Sequence, residues 1–315
     1  MVPATSSSEP DATSGGGLSR PLAVIIVTYN SAAVLPGLLN SLAAAIDGIR
    51  RVEIVVVDNA SEDNSVSIAR EHLIEIKVIE TGRNGGYAAG INAGANAVGP
   101  EFDLLILNPD IRLSPDSARQ LLKCLDDPKV GAVVPQIVGE DGRLRLSLRR
   151  EPSLVTVWSE ALFGGRLASR LGLGEMIAEQ ADGSAFDWAT GAIVAISTHA
   201  RHIVGSWDES FFLYSEEVDY FARLRRSGFK LVYTCYATVV HVGGDYQTNA
   251  FLTSLLVANR IRYYRRNHGG FATFLFRLGL IVGYAMRSVA NPTHRSGLRT
   301  ALTIGAVLPT AIPKD

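Results

Sequence analysis

Through the first 135 residues, short apolar runs alternate with segments whose apolar residues recur at helical spacing. The Val-, Ile- and Leu-rich runs predict strands at residues 22–27, 52–57, 74–79, 104–107 and 131–135. Helical spacing follows the first four runs, at residues 32–46, 63–72, 87–97 and 115–125, the last with Ser114 as N-cap and Pro115 at the first helical position. Strands alternating with helices predict an α/β fold, with a mostly parallel central sheet covered by helices on both faces.

The pattern after Pro135 is less regular. The stretch 164–183 is typical of a loop, and 192–197 of a strand. A helix is predicted at 216–227, closed by Gly228, and strands follow at 230–233 and 237–240. His241 ends the last of these strands, so the regular α/β pattern stops at about residue 245.

The two ends of the chain differ from the body. Residues 1–20 are rich in Ser, Gly and Pro and predict a disordered leader without the features of a secretory signal. Residues 251–266 predict an amphipathic helix, and the sixteen-residue, mostly apolar segment 271–286 is interrupted by Arg277. A membrane-crossing helix needs about 20 apolar residues. We therefore expect a helix that lies on a membrane, with packing against the body as the alternative.

Charge separates the two parts of the chain. Residues 246–315 contain nine bases and one acid, so the remaining residues carry 30 − 9 = 21 bases and 31 − 1 = 30 acids. A basic, apolar C-terminal region predicts an anionic partner surface, and a membrane is favoured because no nucleic-acid-binding motif is present. Two cysteines without metal-ligand spacing fit a reducing cytosol.

Polar residues follow the predicted strands where each strand ends. Thr28, Tyr29 and Asn30 follow the first and Asp58 the second, so Tyr29 could stack on a base and Asp58 could accept its imide N–H. Capping of the next helices by Asn30 or Ser31 and by Ser61 with Asp63 is the alternative.

Two further turns carry candidate ligands. The Asn84-Gly85-Gly86 turn opens a helix and favours anions, although it lacks the dinucleotide-binding glycine spacing. Asn108-Pro109-Asp110 ends a buried strand and is either an ordinary turn or a metal-binding edge.

The second half adds an aromatic residue, acids and a histidine. Trp188, with Thr190 and Gly191, is either a platform for a sugar ring or part of the core. Five acids, among them Asp208, Glu216 and Glu217, cluster within twelve residues, as a catalytic group or as a solvated helix N-terminus. His241 is either a core or turn histidine or a metal ligand with Asp110.

Taken in this order, the motifs resemble the family 2 glycosyltransferases, and most closely the bacterial rhamnosyltransferases of cell-wall and O-antigen assembly. The resemblance covers about 220 residues and excludes the C-terminal region. It implies a GT-A fold at 21–245, with a nucleotide-sugar half at 21–135 and an acceptor half at 136–245, followed by the helical region 246–315. It also implies a nucleotide-sugar donor (a dTDP- or UDP-sugar), Mg²⁺ or Mn²⁺, and inversion at the anomeric carbon.

The resemblance also assigns roles. Donor contacts fall on Thr28, Tyr29, Asn30, Asp58, Asn84, Gly85, Asn108 and Asp110. Metal ligation falls on Asp110 and His241, and acceptor contacts on Trp188, Thr190, Gly191 and Asp208. Glu217 takes the place of the catalytic base, with Asp208 and Glu216 in reserve. Asn108 stands where the family has an aspartate, which lowers the charge of the metal site, and Glu217 is one methylene longer than the usual aspartate.

The expected activity is transfer of a sugar, rhamnose from dTDP-rhamnose, to a lipid-linked or polysaccharide acceptor at the cytoplasmic face of the plasma membrane, by a peripheral protein that binds no nucleic acid. The alternatives are transfer of galactofuranose, an N-acetylhexosamine or glucose, and a non-catalytic module that binds sugar nucleotides or glycans. A nucleotidyltransferase ranks last because no triphosphate loop is present. A homo-oligomer is left open.

Overall fold

The computed structural model of the chain describes residues 20–243, 249–288 and 292–303. The predicted leader therefore lies outside the described residues except for Arg20, as does part of the predicted C-terminal region.

A central eight-stranded sheet organises the body, in the order β3-β2-β1-β4-β9-β6-β10-β5. Its strands are β1 (Leu22–Thr28), β2 (Val52–Asp58), β3 (Lys77–Glu80), β4 (Asp103–Leu107), β5 (Ile111–Leu113), β6 (Val130–Gly139), β9 (Ile193–Ile196) and β10 (Lys230–His241). Strands β3, β2, β1 and β4 are parallel, as are β6 and β10, whereas β9 and β5 run antiparallel to their neighbours. The short strands β7 (Leu148–Arg149) and β8 (Trp188–Ala189) form a separate pair.

Helices cover both faces of this sheet. They are α1 (Leu35–Ala45), α2 (Ser65–Arg70), α3 (Tyr87–Asn96), α4 (Ser117–Cys124), α5 (Leu154–Phe163), α6 (Gly165–Arg170), α7 (Thr198–Val204), α8 (Glu216–Arg226), α9 (Ala250–Asn267), α10 (Gly270–Arg287) and α11 (Pro292–Leu302). Apolar residues of α1, α2 and α4 share one core cluster, and those of α3, α7 and α8 share the other. The strand β1 is buried along its whole length because it contributes to both clusters.

Several sequence predictions need correction. Ser114 does not cap α4: the N-cap is Asp116 at φ 59°, without a side-chain capping bond. The predicted strands at 230–233 and 237–240 are one strand with a β-bulge between Thr234 and Thr238. The stretch 164–183 contains α6, and the sequence reasoning missed β5, α5, α7 and α11. These elements are short, or lack the spacing that would identify them.

The helix α9 packs against the body instead of extending from it. Asn259, which is fully buried, donates to the Leu213 carbonyl over 2.8 Å. Arg260 pairs with Glu175, and the Tyr263 hydroxyl donates to Glu151. The helix predicted at 251–266 therefore packs against the body. The choice between lying on a membrane and packing against the body concerns residues 271–286, which form most of α10, and its membrane part stays a prediction.

Candidate active site

A cavity of about 200 Å³ opens at the carboxyl ends of β1, β2 and β4. Its lining combines polar and aromatic side chains: Val27, Thr28, Tyr29, Ser31, Asn59, Asn84, Gly86, Tyr87, Asn108, Pro109, Phe212 and Leu213. Four predicted donor-binding residues are therefore in the lining, namely Thr28, Tyr29, Asn84 and Asn108. Carboxyl ends of parallel strands form the edge where open α/β sheets bind ligands.

Asp58 lies beneath this cavity and organises the ends of β1 and β2. Its carboxylate is 2% exposed and accepts hydrogen bonds from the Thr28 hydroxyl at 3.1 Å and from the Ser61 backbone N–H at 2.9 Å. The Ser61 hydroxyl donates to it as well, over 2.5 Å. The predicted contact between Asp58 and a base stays a prediction, and the structure adds a second role for Asp58 in shaping the turn.

Most polar residues after β1 and β2 form hydrogen bonds between the two loops. The N-caps of α1 and α2 are Val34 and Asn64, and neither makes a side-chain capping bond. Asn30, at φ 50°, accepts from the Glu62 N–H over 2.8 Å and donates its own N–H to Ser61 over 2.9 Å. The capping alternative is therefore wrong for Asn30, Ser31 and Ser61, whereas Asp63 accepts the N–H of Ser65, the first residue of α2, over 3.0 Å.

The turn before α3 packs against a distant loop. Asn84 accepts from the Gly86 N–H at 3.0 Å, and the Tyr87 N–H donates to the Phe212 carbonyl at 2.9 Å. Gly86 has φ 88°, and a Cβ there would lie 2.0 Å from the Phe212 carbonyl oxygen. Gly85, also in the donor prediction, belongs to the same turn. A glycine is therefore required at position 86 both by its backbone angle and by this close approach.

We expect Gly86→Ala to lower the free energy of unfolding by about 3 kcal/mol or more, because it combines positive-φ strain with a backbone clash. It should also weaken donor binding, since Phe212 lines the cavity. Gly82→Ala is the matched control: Gly82 has φ 69° but nothing within 4 Å of an added Cβ. Urea denaturation of both variants measures the difference, and equal losses would contradict the packing argument.

Asp110 and His241 come together from chain positions 131 residues apart. The imidazole Nε2 lies 3.0 Å from Asp110 Oδ2, and the other carboxylate oxygen is buried with no hydrogen-bond partner among the described residues. An unpartnered buried carboxylate oxygen beside an imidazole fits a divalent cation. Within the described part of the chain, no group of three His, Cys, Asp or Glu side chains is placed to hold a metal. Two protein ligands suit Mg²⁺ or Mn²⁺, which bind through few carboxylates together with water and substrate phosphates.

Glu216 and Glu217 begin α8 after two residues with left-handed backbone angles, Tyr214 at φ 68° and Ser215 at φ 73°. Such angles are costly for residues with side chains and are retained where the surroundings impose them, often at functional sites. Glu216 is 3% exposed, and burial together with the charge of Glu217 raises its pKa well above the ordinary value. Burial raises the pKa of Glu217 to about 7.

Tyr87 lies near both Asp110 and the pair of Glu216 and Glu217. Its hydroxyl donates to the Gly191 carbonyl over 2.8 Å, and a Cβ at Gly191 would lie 3.5 Å from the Tyr87 ring and 3.7 Å from the Glu217 Cβ. Burial first, and then the charges of Glu216, Glu217 and Asp110, raise the pKa of Tyr87. Tyr87 therefore lies among the predicted base, the predicted metal ligand and one predicted acceptor residue.

The remaining predicted acceptor residues are held more tightly than the sequence indicated. Trp188 is half-buried, its indole N–H donates to the Arg150 carbonyl over 2.9 Å, and its ring faces the Arg149 guanidinium at 5.9 Å. The half-buried Thr190 donates its backbone N–H to the Ser147 carbonyl at 3.1 Å. These residues line one region with Gly191, and their contact with an acceptor stays a prediction.

Asp208 is bound to α9. Arg266 lies 2.5 Å from its carboxylate, and the Ser210 N–H donates to it over 2.9 Å. Burial raises the pKa of Asp208, but its hydrogen bonds with Ser210 and Arg266 outweigh that effect and lower the pKa overall. A carboxylate held in this way is a weak base, so the geometry favours Glu217 over Asp208.

The site also uses residues that the sequence reasoning did not select. Ser31, Asn59, Tyr87, Phe212 and Leu213 line the cavity. Tyr87 begins a helix directly after the Gly85-Gly86 turn, and this position was the available signal. Phe212 and Leu213 reach the cavity because α9 holds their loop, so no local pattern identified them.

A mostly parallel sheet with a cavity and two acidic groups at its carboxyl edge is the arrangement of the GT-A fold. Two solved structures share this fold. One is a mannosyltransferase from Pyrobaculum calidifontis in complex with GDP-Man and Mn²⁺. The match covers 92% of this chain and 86% of the mannosyltransferase chain, with a TM-score of 0.58 and 16% sequence identity. The other is GalNAc-T7 with UDP, GalNAc and Mn²⁺. The match covers 78% of this chain and 48% of the GalNAc-T7 chain, with a TM-score of 0.56 and 17% sequence identity.

The family follows from the sequence comparisons. Residues 23–200 match the model of glycosyl transferase family 2, so the chain belongs to that family and is a glycosyltransferase. An N-acetylglucosaminyl-diphospho-decaprenol L-rhamnosyltransferase of Mycobacterium tuberculosis is 30% identical over 233 residues, which are 70% of this chain and 75% of the relative. The predicted fold and the predicted family, with its likeness to rhamnosyltransferases, are thereby confirmed.

Proposed function

We propose that this glycosyltransferase moves rhamnose from dTDP-rhamnose to a lipid-linked acceptor of cell-envelope glycan synthesis, with inversion at the anomeric carbon. The observation that carries the proposal is the position of Glu217, a half-buried acid with a raised pKa, beside Tyr87 and Gly191 at the edge of the donor cavity. The choice of sugar and acceptor is supported by the rhamnosyltransferase relative, whose name specifies an N-acetylglucosaminyl-diphospho-decaprenol acceptor.

In the proposed reaction, Glu217 removes the proton from an acceptor hydroxyl as its oxygen attacks the anomeric carbon. Attack comes from the face opposite the diphosphate, so the new C–O bond forms as the bond to the diphosphate breaks and the leaving group keeps the electron pair. A base with a pKa near 7 is suited to this task at neutral pH. The half-buried Tyr29 provides an aromatic face for the nucleotide base.

Asp110 and His241 would hold the divalent cation, with Asn108 lining the adjacent cavity. When bound, the cation would supply positive charge that stabilises the departing diphosphate. The residues present fit this proposal, because Asp110 offers a buried oxygen without a partner among the described residues. The Mn²⁺ in the two structural neighbours belongs to those proteins and supports the choice of a hard cation here.

The proposal also places the protein on the cytoplasmic side of the plasma membrane, as a peripheral protein. A lipid-linked acceptor and a nucleotide-sugar donor meet at that face, and the basic C-terminal region favours an anionic surface.

A donor panel tests the proposed function. Isothermal titration in Mn²⁺ should show the tightest binding for dTDP-rhamnose among dTDP-rhamnose, UDP-galactofuranose, UDP-N-acetylglucosamine and UDP-glucose. Incubation with a water-soluble, short-chain N-acetylglucosaminyl diphosphate lipid should then yield a rhamnosylated product. If another nucleotide sugar binds more tightly and its sugar is transferred, that compound is the donor instead of dTDP-rhamnose. Donor binding without transfer would support the non-catalytic module.

A further inference from the structure

Exposed apolar side chains are concentrated on one part of the molecule. Of the fourteen large hydrophobic residues that are most exposed among the described ones, ten lie in α5, α6, α10 and α11 or directly beside α6. They are Val155, Leu162, Phe163, Leu167, Leu171, Leu173, Phe271, Phe274, Met286 and Leu302. A concentration of this kind marks an interaction surface, whereas single exposed apolar residues do not.

The helix α10 contributes a continuous apolar stripe. Phe271 and Phe274 are 77% and 59% exposed, and the partly buried Leu275, Leu278 and Val282 extend the same face at helical spacing to the exposed Met286. Neither arginine of α10 interrupts the stripe. Arg277 donates to the Ala301 carbonyl over 2.5 Å, and Arg287 donates to the carbonyls of Gly283 and Glu160.

The opposite face of α10 packs on α5 and α9. A Cβ at Gly279 would lie 3.0 Å from Val157 and 3.4 Å from Trp158, so α5 and α10 approach closely. Phe276 is fully buried and stacks on Tyr264 of α9 at a centroid distance of 4.0 Å. By length and composition, α10 could cross a membrane, but its packed face holds it to the body. We therefore infer that α10 lies along a membrane surface.

The short hairpin of α5 and α6 extends the same surface. Val155 and Leu162 of α5 are exposed on one side, and Trp158 between them contacts α10. Leu167 of α6 and Leu171 directly after it are exposed beside Arg166 and Arg170, which are exposed as well. Apolar residues flanked by arginines are typical of helices that lie in the headgroup region of anionic membranes.

The charge around this surface has one sign. The exposed arginines Arg166, Arg170, Arg295 and Arg299 lie in α6 and α11, whereas Arg260 and Arg266 of α9 are paired with Glu175 and Asp208. The one acid of α5, Glu160, is directed inward and accepts the Glu175 N–H over 2.8 Å. A positive apolar surface complements anionic lipid headgroups.

The surface is also joined to the predicted acceptor side. Ser153, the N-cap of α5, lies three residues after Arg150. The Arg150 carbonyl accepts a hydrogen bond from the Trp188 indole N–H. We propose that the exposed faces of α5, α6 and α10, here called the docking surface, bind an anionic bilayer and bring the acceptor side to its lipid-linked substrate. The role in reaching a lipid-linked substrate rests on the proposed function, whereas the contact with the bilayer does not.

Flotation with vesicles tests the docking surface in the full-length protein. The wild type should float with vesicles of 30% phosphatidylglycerol in phosphatidylcholine. Leu167→Glu with Leu171→Glu, and separately Phe271→Ser with Phe274→Ser, should each reduce the bound fraction about tenfold. Folding should be retained because these side chains are 49–77% exposed. Leu73→Glu is the matched control, since Leu73 is fully exposed and lies outside the docking surface, and its binding should not change.

Two readouts separate the possible failures. Unchanged flotation of both double variants overturns the proposal. It is also overturned if the wild type binds no vesicles but forms a dimer, and the double variants are monomeric. Transfer to the water-soluble acceptor should be unaffected in both double variants. Loss of flotation with normal soluble transfer supports the docking surface, whereas absence of transfer in the wild type would refute the proposed function alone.

Discussion

Glu217→Gln is expected to reduce the rate of sugar transfer by about 10² to 10⁴-fold, the contribution typical of a general base. Glutamine retains nearly the same shape but cannot accept the acceptor proton. Donor affinity should change little, because Glu217 is not among the residues that line the donor cavity. Initial rates with the soluble acceptor, together with titration of the donor, measure the two effects separately. Full turnover in this variant would contradict the assignment.

The pH dependence gives an independent measurement. Burial raises the pKa of Glu217 to about 7, so the carboxylate that acts as the base is depleted below that pH. The transfer rate should therefore rise with pH up to about 7 and level off above it. Glu216→Gln is the comparison, since its 3% exposed carboxyl is poorly placed to reach an acceptor. That variant should retain most of its activity, and a loss as large as that of Glu217→Gln would move the base to Glu216.

Asp110→Asn is expected to lower the transfer efficiency at least about a hundredfold, because it removes the firm acidic ligand of the proposed cation while keeping the side-chain shape. Binding of Mn²⁺ in the presence of dTDP, followed by electron paramagnetic resonance, should weaken in parallel. Asp116→Asn is the matched control: Asp116 is an exposed aspartate in an ion pair with Arg119, and its replacement should leave both quantities unchanged.

The outcome of this experiment also tests whether Asp110 and His241 hold the cation together. If Mn²⁺ binding and transfer both survive Asp110→Asn, then the pair of Asp110 and His241 does not hold the cation. His241→Ala should produce a smaller loss than Asp110→Asn, because it leaves the charged ligand in place. A larger loss would make the histidine the principal ligand.

The sequence alone determined the sheet half of the molecule. The apolar runs of β1, β2 and β4 predicted buried strands because strands covered on both faces are nearly continuous in Val, Ile and Leu. Polar residues after those strands then predicted the cavity, since carboxyl ends of parallel strands meet at one edge. Asp110 and Glu217 were selected on local pattern and on resemblance.

Tertiary structure alone decided how the site is completed. Phe212 meets Gly86 across 126 positions of the chain, and His241 meets Asp110 across 131. It also decided that α9 fixes the loop before Glu217, through the bond from Asn259 to the Leu213 carbonyl. Local periodicity reports which face of an element is buried, but not which distant element covers it. The strands and the candidate acids were therefore readable from the sequence, whereas the contacts that orient those acids depended on the packing of the whole chain.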